Sequence, residues 1–308
     1  MHYVFEPGFF SSGPVRLALL IGAMTAVVSA VVGVFTVVRS QSFAGHALTD
    51  VATTGGAAGF YFGVSSLAGF IGGGVAGAGA MDLIGVQRVR GRDLATGIVL
   101  GAATGLAALF LYLDTTKSAT TGASQQILFG SIFTVDSSML PVVAALGGAT
   151  VLLVAVIYRP LLLSSVSPEL ASARGVRLRV VGLVFMLALA VAVGLSAIVI
   201  GSILSTALLI GPAATALRVT KTIRSSIVVA CALGIVATWL GILLAYDSYY
   251  WDRSSQGLPV SFFVVAIAFA LYLLSGLPRL GRRVGRPHQA GRALDRGGPA
   301  DELAQAAG

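Results

Sequence analysis

The chain has 308 residues, of which 56% are hydrophobic and only 10% charged, and its mean hydropathy is +0.92. Soluble domains carry roughly 25% charge, so a water-soluble fold is excluded for the body of this chain, and the formal charge of +8 needs no nucleic-acid partner. The single cysteine, Cys231, excludes a disulfide or a thiolate metal cage within one chain.

The first stretch, "MHYVFEPGFFSSGPVR" at 1–16, lacks a basic leader with a short apolar run and reads as no cleaved signal peptide. Uncharged apolar runs then follow at 17–38, 94–113, 139–157, 180–217, 225–246 and 258–277. Another, at 43–81, is interrupted only by His46 and Asp50. A membrane-crossing helix needs roughly 20 residues. The runs at 43–81 and 180–217 are therefore long enough for two short spans each, turning near "GVSS" at 63–66 and near Gly201. The reading is an all-α polytopic bundle of nine spans, or eight if a short one is re-entrant.

With nine spans, one set of loops holds Arg39, then Arg88, Arg90 and Arg92, then Arg159, Arg174, Arg177 and Arg179, then Arg218, Lys221 and Arg224. The C-terminal segment adds Arg279, Arg282, Arg283, Arg286, Arg292 and Arg296 to that side, leaving Arg16, Lys117 and Arg253 on the other. Basic residues accumulate on the cytoplasmic side. The expectation is an external N-terminus and a cytoplasmic C-terminus, with the aromatic "SYYWD" at 248–252 in the outer interfacial belt. A membrane domain over 1–280 is followed by 281–308, whose Gly-, Pro- and Arg-rich composition reads as a disordered basic cytoplasmic tail. His288 in it is a solvated residue.

Three features stand out within the spans and loops. His46 and Asp50 lie four residues apart, one helical turn, in the segment "SQSFAGHALTD". From Arg39, Asp50 lies roughly 16 Å along a helix, near mid-bilayer. Ionisable groups at that depth usually mark an ion or proton pathway. Imidazole with carboxylate suits zinc, manganese or ferrous iron; the plainer reading is a His–Asp hydrogen bond that glues helices. Two ligands leave a metal site incomplete, so further groups or a second copy must supply the rest.

The loop "SVSPELASARGVRLR" at 165–179 predicts a short helix over about 167–175. Ser167 is a good N-cap, Pro168 suits the first helical position, Glu169 suits the positive helix end and Gly175 suits the stop. Glycine, at 39 residues, is dense in "GFIGGGVAGAGAM" and points to close helix packing. Pro212 falls inside a span, where it frees a carbonyl and favours a bend.

Catalytic equipment is sparse. Neither Lys117 nor Lys221 follows a glycine, so there is no GxxxxGK[ST] phosphate loop. No HExxH is present, and no span after the second contains a histidine.

Four segments, taken in order, resemble the permease subunits of bacterial ABC importers for zinc and manganese (the ABC-3 group, ZnuB- and MntB-like). "VVRSQSFAGHALTDVATTGGAAGFYFG" is similar to that family's Arg-x-x-Ser-Phe-x-Gly-Asp-x-Leu-x-His segment, and "QQILFGSIFTVDSSML" to its Leu-Phe-Gly-Asp-Ile-Leu-x-Val block. "SPELASARGVRLRVV" resembles its cytoplasmic coupling segment, and "SILSTALLIGPAATALRVTKTIR" its Ser-x-Leu-Leu-Ile-x-Pro-Ala-Ala-Thr-Ala block. Two departures stand out: His46 precedes Asp50 where the family has Asp first, and Ser131 replaces an aspartate.

The resemblance implies a type II ABC-importer-like fold in the bacterial plasma membrane and a homodimer of permeases with the pathway on the shared axis. It implies a separate cytoplasmic ATPase dimer and an extracytoplasmic metal-binding protein. The cargo would be a divalent transition metal (zinc or manganese, with iron also open), moved inward by alternating access with no permanently bound cofactor and no catalysis in this subunit. His46 and Asp50 would be transient metal ligands, and Pro168, Glu169 and Gly175 would belong to the ATPase-coupling helix. The competing expectation is an ATP-independent, proton-coupled carrier using His46 and Asp50 as a proton relay. An intramembrane enzyme is disfavoured by the shortage of acid–base groups.

Overall fold

The computed structural model describes residues 9–84, 92–117, 121–130, 132–251 and 257–284. The expectations attached to Arg88, Arg90, Ser131, Arg253 and the tail beyond 284 lie outside those residues. The described residues form twelve α-helices and two short 3-10 turns, without a strand. Nine helices are long: α1 (Gly13–Val38), α2 (Ser42–Tyr61), α3 (Ser66–Ile84), α4 (Arg92–Lys117), α6 (Met139–Val156), α9 (Leu178–Ile200), α10 (Ser202–Val219), α11 (Ile223–Ser248) and α12 (Val260–Val284). Three are short: α5 (Thr121–Phe129), α7 (Tyr158–Val166) and α8 (Pro168–Ala173). The chain divides into two units, Met1–Tyr272, which holds the bundle, and Leu273–Gly308, whose described part continues α12 to Val284.

The nine long helices coincide with the nine expected spans. Seven are long and apolar enough to cross a membrane, and α12 contributes a shorter apolar stretch at Val260–Gly276. The remaining one, α2, has the length, but its histidine, aspartate and threonines make it too polar to qualify. A helix that cannot face lipid must face protein or a wet cavity, and α2 packs against α3, α4, α9 and α10.

Both expected interior turns are present. The α2–α3 joint passes through Gly63, at φ 72°, and the α9–α10 joint through Gly201, at φ 81°. At Gly201 the demand for glycine is also steric, because a Cβ there would collide with the carbonyl of Leu128 at the end of α5. The neighbouring Gly130, at φ 81°, would in turn place a Cβ 2.7 Å from the carbonyl oxygen of Val199. The end of α5 is thus interlocked with the α9–α10 break.

The bundle centre is α9 and α1. Their most apolar windows are 72% and 61% buried, against 17% for α4 and 22% for α6, which lie on the periphery. Sequence explains α9: it is apolar on every face, and such a helix is stable only when surrounded. One polar contact pins the pair, a 2.7 Å hydrogen bond between the hydroxyls of Ser29 and Ser196. In hydrocarbon such bonds hold helices together by roughly 1 kcal/mol. α10 runs without interruption through Pro212. At the arginine-rich end, Arg179 pairs with Asp82 at 3.1 Å, linking α9 to α3.

Glycine sets the α2–α3 distance. A Cβ on Gly55 would collide with the carbonyl oxygen of Gly69 and stand 2.7 Å from the Cα of Gly73. The same holds in reverse for Gly69 against Gly55. Both contacts involve backbone, so no rotamer change relieves them. Gly55→Ala should therefore destabilise the folded protein by about 1–3 kcal/mol through overpacking, read as a lower melting temperature in detergent. Gly101→Ala on α4, where a Cβ meets nothing within 4 Å, should stay within about 0.5 kcal/mol.

Candidate functional site

α2 brings the two ionisable side chains into the bundle and keeps the rest of its polar load satisfied. Thr49 donates to the carbonyl of Gly45 (3.0 Å) and Thr53 to that of Thr49 (2.8 Å), so these hydroxyls cost little in an apolar setting. Thr54 reaches its own helix at Asp50 (3.0 Å) and also the carbonyl of Ala103 on α4 (2.8 Å).

His46 and Asp50 are both half-buried and one turn apart, as expected, but they diverge. His46 Nδ1 lies 3.2 Å from Thr206 Oγ1 on α10. Asp50 Oδ2 accepts a 2.6 Å hydrogen bond from Thr104 Oγ1 on α4. No hydrogen bond or ion pair joins the two residues, so the helix-gluing His–Asp bond is not the arrangement. Each is instead oriented by a hydroxyl from a different neighbouring helix, and among the described residues His46 Nε2 and Asp50 Oδ1 are left uncommitted. Such outer partners fix tautomer and ring direction in metal sites. Thr104 and Thr206 were not singled out by sequence. A lone threonine in an apolar span is the only signal, and it does not say which helix it will meet.

The donor set is one imidazole nitrogen and one carboxylate oxygen, suited to a borderline or hard divalent cation. No group of three or more His, Cys, Asp or Glu is assembled among the described residues. One chain therefore offers two ligands and an incomplete site. Two cavities, of about 780 and 550 Å³, lie elsewhere, at the end of the bundle marked by Gly63, Gly130 and Tyr249. The smaller includes Asp136, whose Oδ1 accepts from the Ser138 N–H at 2.9 Å at the start of α6. That bond holds its carboxyl below the ordinary range. The stabilisation is thus present at neutral pH and is lost only as pH falls through the depressed value.

At the opposite, arginine-rich end stands α8. Ser167 is extended (φ −147°, ψ 97°) and its hydroxyl accepts from the Leu170 N–H at 3.3 Å, with Pro168 opening the helix and Glu169 in the first turn. Gly175, at φ 77°, closes it: its N–H reaches the Ser172 carbonyl (2.9 Å) and that of Val176 reaches Ala171 (3.0 Å). This pair of bonds is the glycine-centred helix stop. The residues predicted from sequence thus occupy the start, first turn and stop of a six-residue helix. Only Ala171 is buried; Pro168, Glu169, Leu170, Ser172, Ala173 and Arg174 all face outward.

The model of the ABC 3 transport family matches residues 14–277. The manganese transport system membrane protein MntC of Listeria innocua serovar 6a is 29% identical over 271 residues, covering 87% of this chain and 94% of that protein. The manganese import system permease protein ScaB of Streptococcus parasanguinis is 29% identical over 230 residues, 75% of this chain and 81% of ScaB. Among solved structures, PsaBC from Streptococcus pneumoniae in complex with Fab aligns at a TM-score of 0.74 and 25% identity, over 87% of this chain and 93% of that one.

The cap on α8 is testable apart from any function. Ser167→Ala removes the acceptor for the Leu170 N–H and should cost the short helix about 1 kcal/mol. Faster amide exchange at Leu170 and Ala171, with the melting temperature of the bundle unchanged, is the expected readout; Ser167→Asp should restore protection.

Proposed function

Because the chain belongs to the ABC 3 transport family, matched from residue 14 to 277, we propose that it is the membrane permease of an importer for a divalent transition metal, with manganese the favoured cargo. It is a multi-pass membrane protein of permease fold and carries transport, not catalysis. The observation that carries the metal assignment is the setting of His46 and Asp50 on α2, the one long helix too polar to cross unaided, with each side chain aimed by a hydroxyl from another helix. The names of the relatives, MntC and ScaB, favour manganese over zinc.

Two copies would place their α2 ligands around a common axis, completing by symmetry a donor set that one chain leaves half-filled. A loose set of this kind suits transport, which requires binding strong enough to admit the ion and weak enough to release it. The reversed His–Asp order keeps both donor types one turn apart while exchanging their depths. The arginine-rich end is cytoplasmic in this reading, with the N-terminus outside. There α8 presents Pro168, Glu169 and its Gly175 stop to a groove of a separate ATPase dimer. An extracytoplasmic metal-binding protein delivers cargo to the other face. Alternating access then means that ATPase movement, received at α8, exposes the His46–Asp50 level to one side at a time.

In proteoliposomes holding the permease with its ATPase, His46→Ala and Asp50→Ala should abolish manganese uptake while the complex still assembles. Thr104→Val should reduce it by about 10- to 100-fold, the usual effect of losing an orienting partner. Undiminished uptake in both alanine variants would remove the pathway assignment, and uptake by the permease alone on a pH gradient would replace the ABC reading with a proton-coupled carrier. Separately, Glu169→Arg should weaken co-purification of the ATPase; unchanged association with full ATP-driven uptake counts against the coupling role of α8.

A further inference from the structure

The joint between α1 and α2 has an unusual construction. Ser40 is the one described residue other than glycine with a positive φ, 53°. Its N–H bonds the carbonyl of Val37 (3.0 Å) and that of Gln41 bonds Thr36 (2.9 Å). This is the double-bonded helix stop that normally uses glycine. α2 begins at Ser42, so the joint has no slack: any displacement of Arg39 and Ser40 is delivered to the first turn of α2, and His46 lies in the next.

From this joint the Arg39 side chain runs sideways rather than into water. Its Nη1 donates to Ser164 Oγ at 2.9 Å and lies 3.4 Å from Ser165 Oγ, both on α7. Its guanidinium carbon stands 5.5 Å from the ring centre of Phe185 on α9, a fully buried residue. Ser164 is itself buried. A planar cation that both hydrogen-bonds and stacks is what arginine supplies and lysine does not. On α7 the gripped serines are two and three residues from Ser167, which ends α7 and caps α8.

The contacts therefore form an unbroken mechanical line: α8, Ser167, Ser164 and Ser165, Arg39, Ser40 and Gln41, then α2 with its ion-handling pair. We propose that Arg39 is a positioning residue for transport, transmitting displacement of α8 to α2 and so setting when His46 and Asp50 are presented. This rests on the reading of the chain as an ATPase-driven permease. The coupling is carried by a contact between two rigid elements, not by distance alone. Arg39 is one of seventeen basic residues on its side of the sequence, and nothing in charge counting separates it from the others.

The test is the ratio of manganese transported to ATP hydrolysed, measured in one set of proteoliposomes containing permease and ATPase. Arg39→Ala and the pair Ser164→Ala with Ser165→Ala should each lower that ratio by about two- to thirtyfold, with ATP hydrolysis and co-purification retained. Combining all three should be no worse than either alone, because one contact is broken in each case. Arg39→Lys should recover part of the ratio through a single bond to Ser164. An unchanged ratio in the alanine variants, or losses that simply add, overturns the proposal and leaves Arg39 a structural staple, visible only as a lower melting temperature. Should Arg39→Ala fail to fold, the serine pair carries the test. If the wild-type permease shows no ATP-driven uptake, the permease reading fails first and the Arg39 proposal falls with it.

Discussion

Everything here depends on how a polar helix is kept inside hydrocarbon. An unsatisfied polar group in that medium costs several kcal/mol, and α2 carries a histidine, an aspartate and three threonines between Ser42 and Tyr61. Its threonines fold back on their own helix, and its two ionisable groups borrow hydroxyls from α4 and α10. The surrounding apolar helices then exclude lipid. The arrangement of α3, α4, α9 and α10 follows from this requirement: all four wall in α2, α4 from the periphery and α9 from the bundle centre.

Close approach makes the enclosure tight. At Gly55, Gly69 and Gly73 the α2 and α3 backbones meet with no side chain between them. Where larger residues line the contact, as with Phe35, Phe185 and Leu189 around α1 and α9, shape-matched packing does the same work. The result is a site held by rigid elements on all but its open donor atoms, so that motion must come from the ends of helices. Those ends are where the short helices sit: α5 against the α9–α10 break, and α7 with α8 beside the α1–α2 joint.

Much of this was legible in the sequence. Span positions followed from uncharged runs because backbone satisfaction leaves few alternatives in a membrane, and the turns at Gly63 and Gly201 followed from length. The α8 helix was readable from Ser167, Pro168, Glu169 and Gly175, since each has a local reason for its position. The pair His46 and Asp50 was visible because charge in an apolar run is costly. What surrounds the pair was not: Thr104 and Thr206 are distant in sequence, and helix pairing depends on packing that no local pattern encodes. The 3.6-residue period placed both side chains on one face but not their divergence toward α10 and α4. Arg39 was read as a charge for orientation and as the first residue of a family-like segment, but its grip on α7 spans 125 positions and no local pattern shows it.

The hydroxyl pair at the bundle centre has a consequence for how the protein is made. Ser29 and Ser196 are 167 positions apart, and chains emerge from the ribosome at about 5–20 residues per second. α1 therefore exists for roughly 10–30 s before its partner is synthesised. Throughout that interval α1 can pack on earlier helices such as α6, but Ser29 lacks the partner it will finally have. A helix made early is thus among the last to be settled. Biogenesis of this protein is a matter of holding an early helix in waiting until a late one arrives.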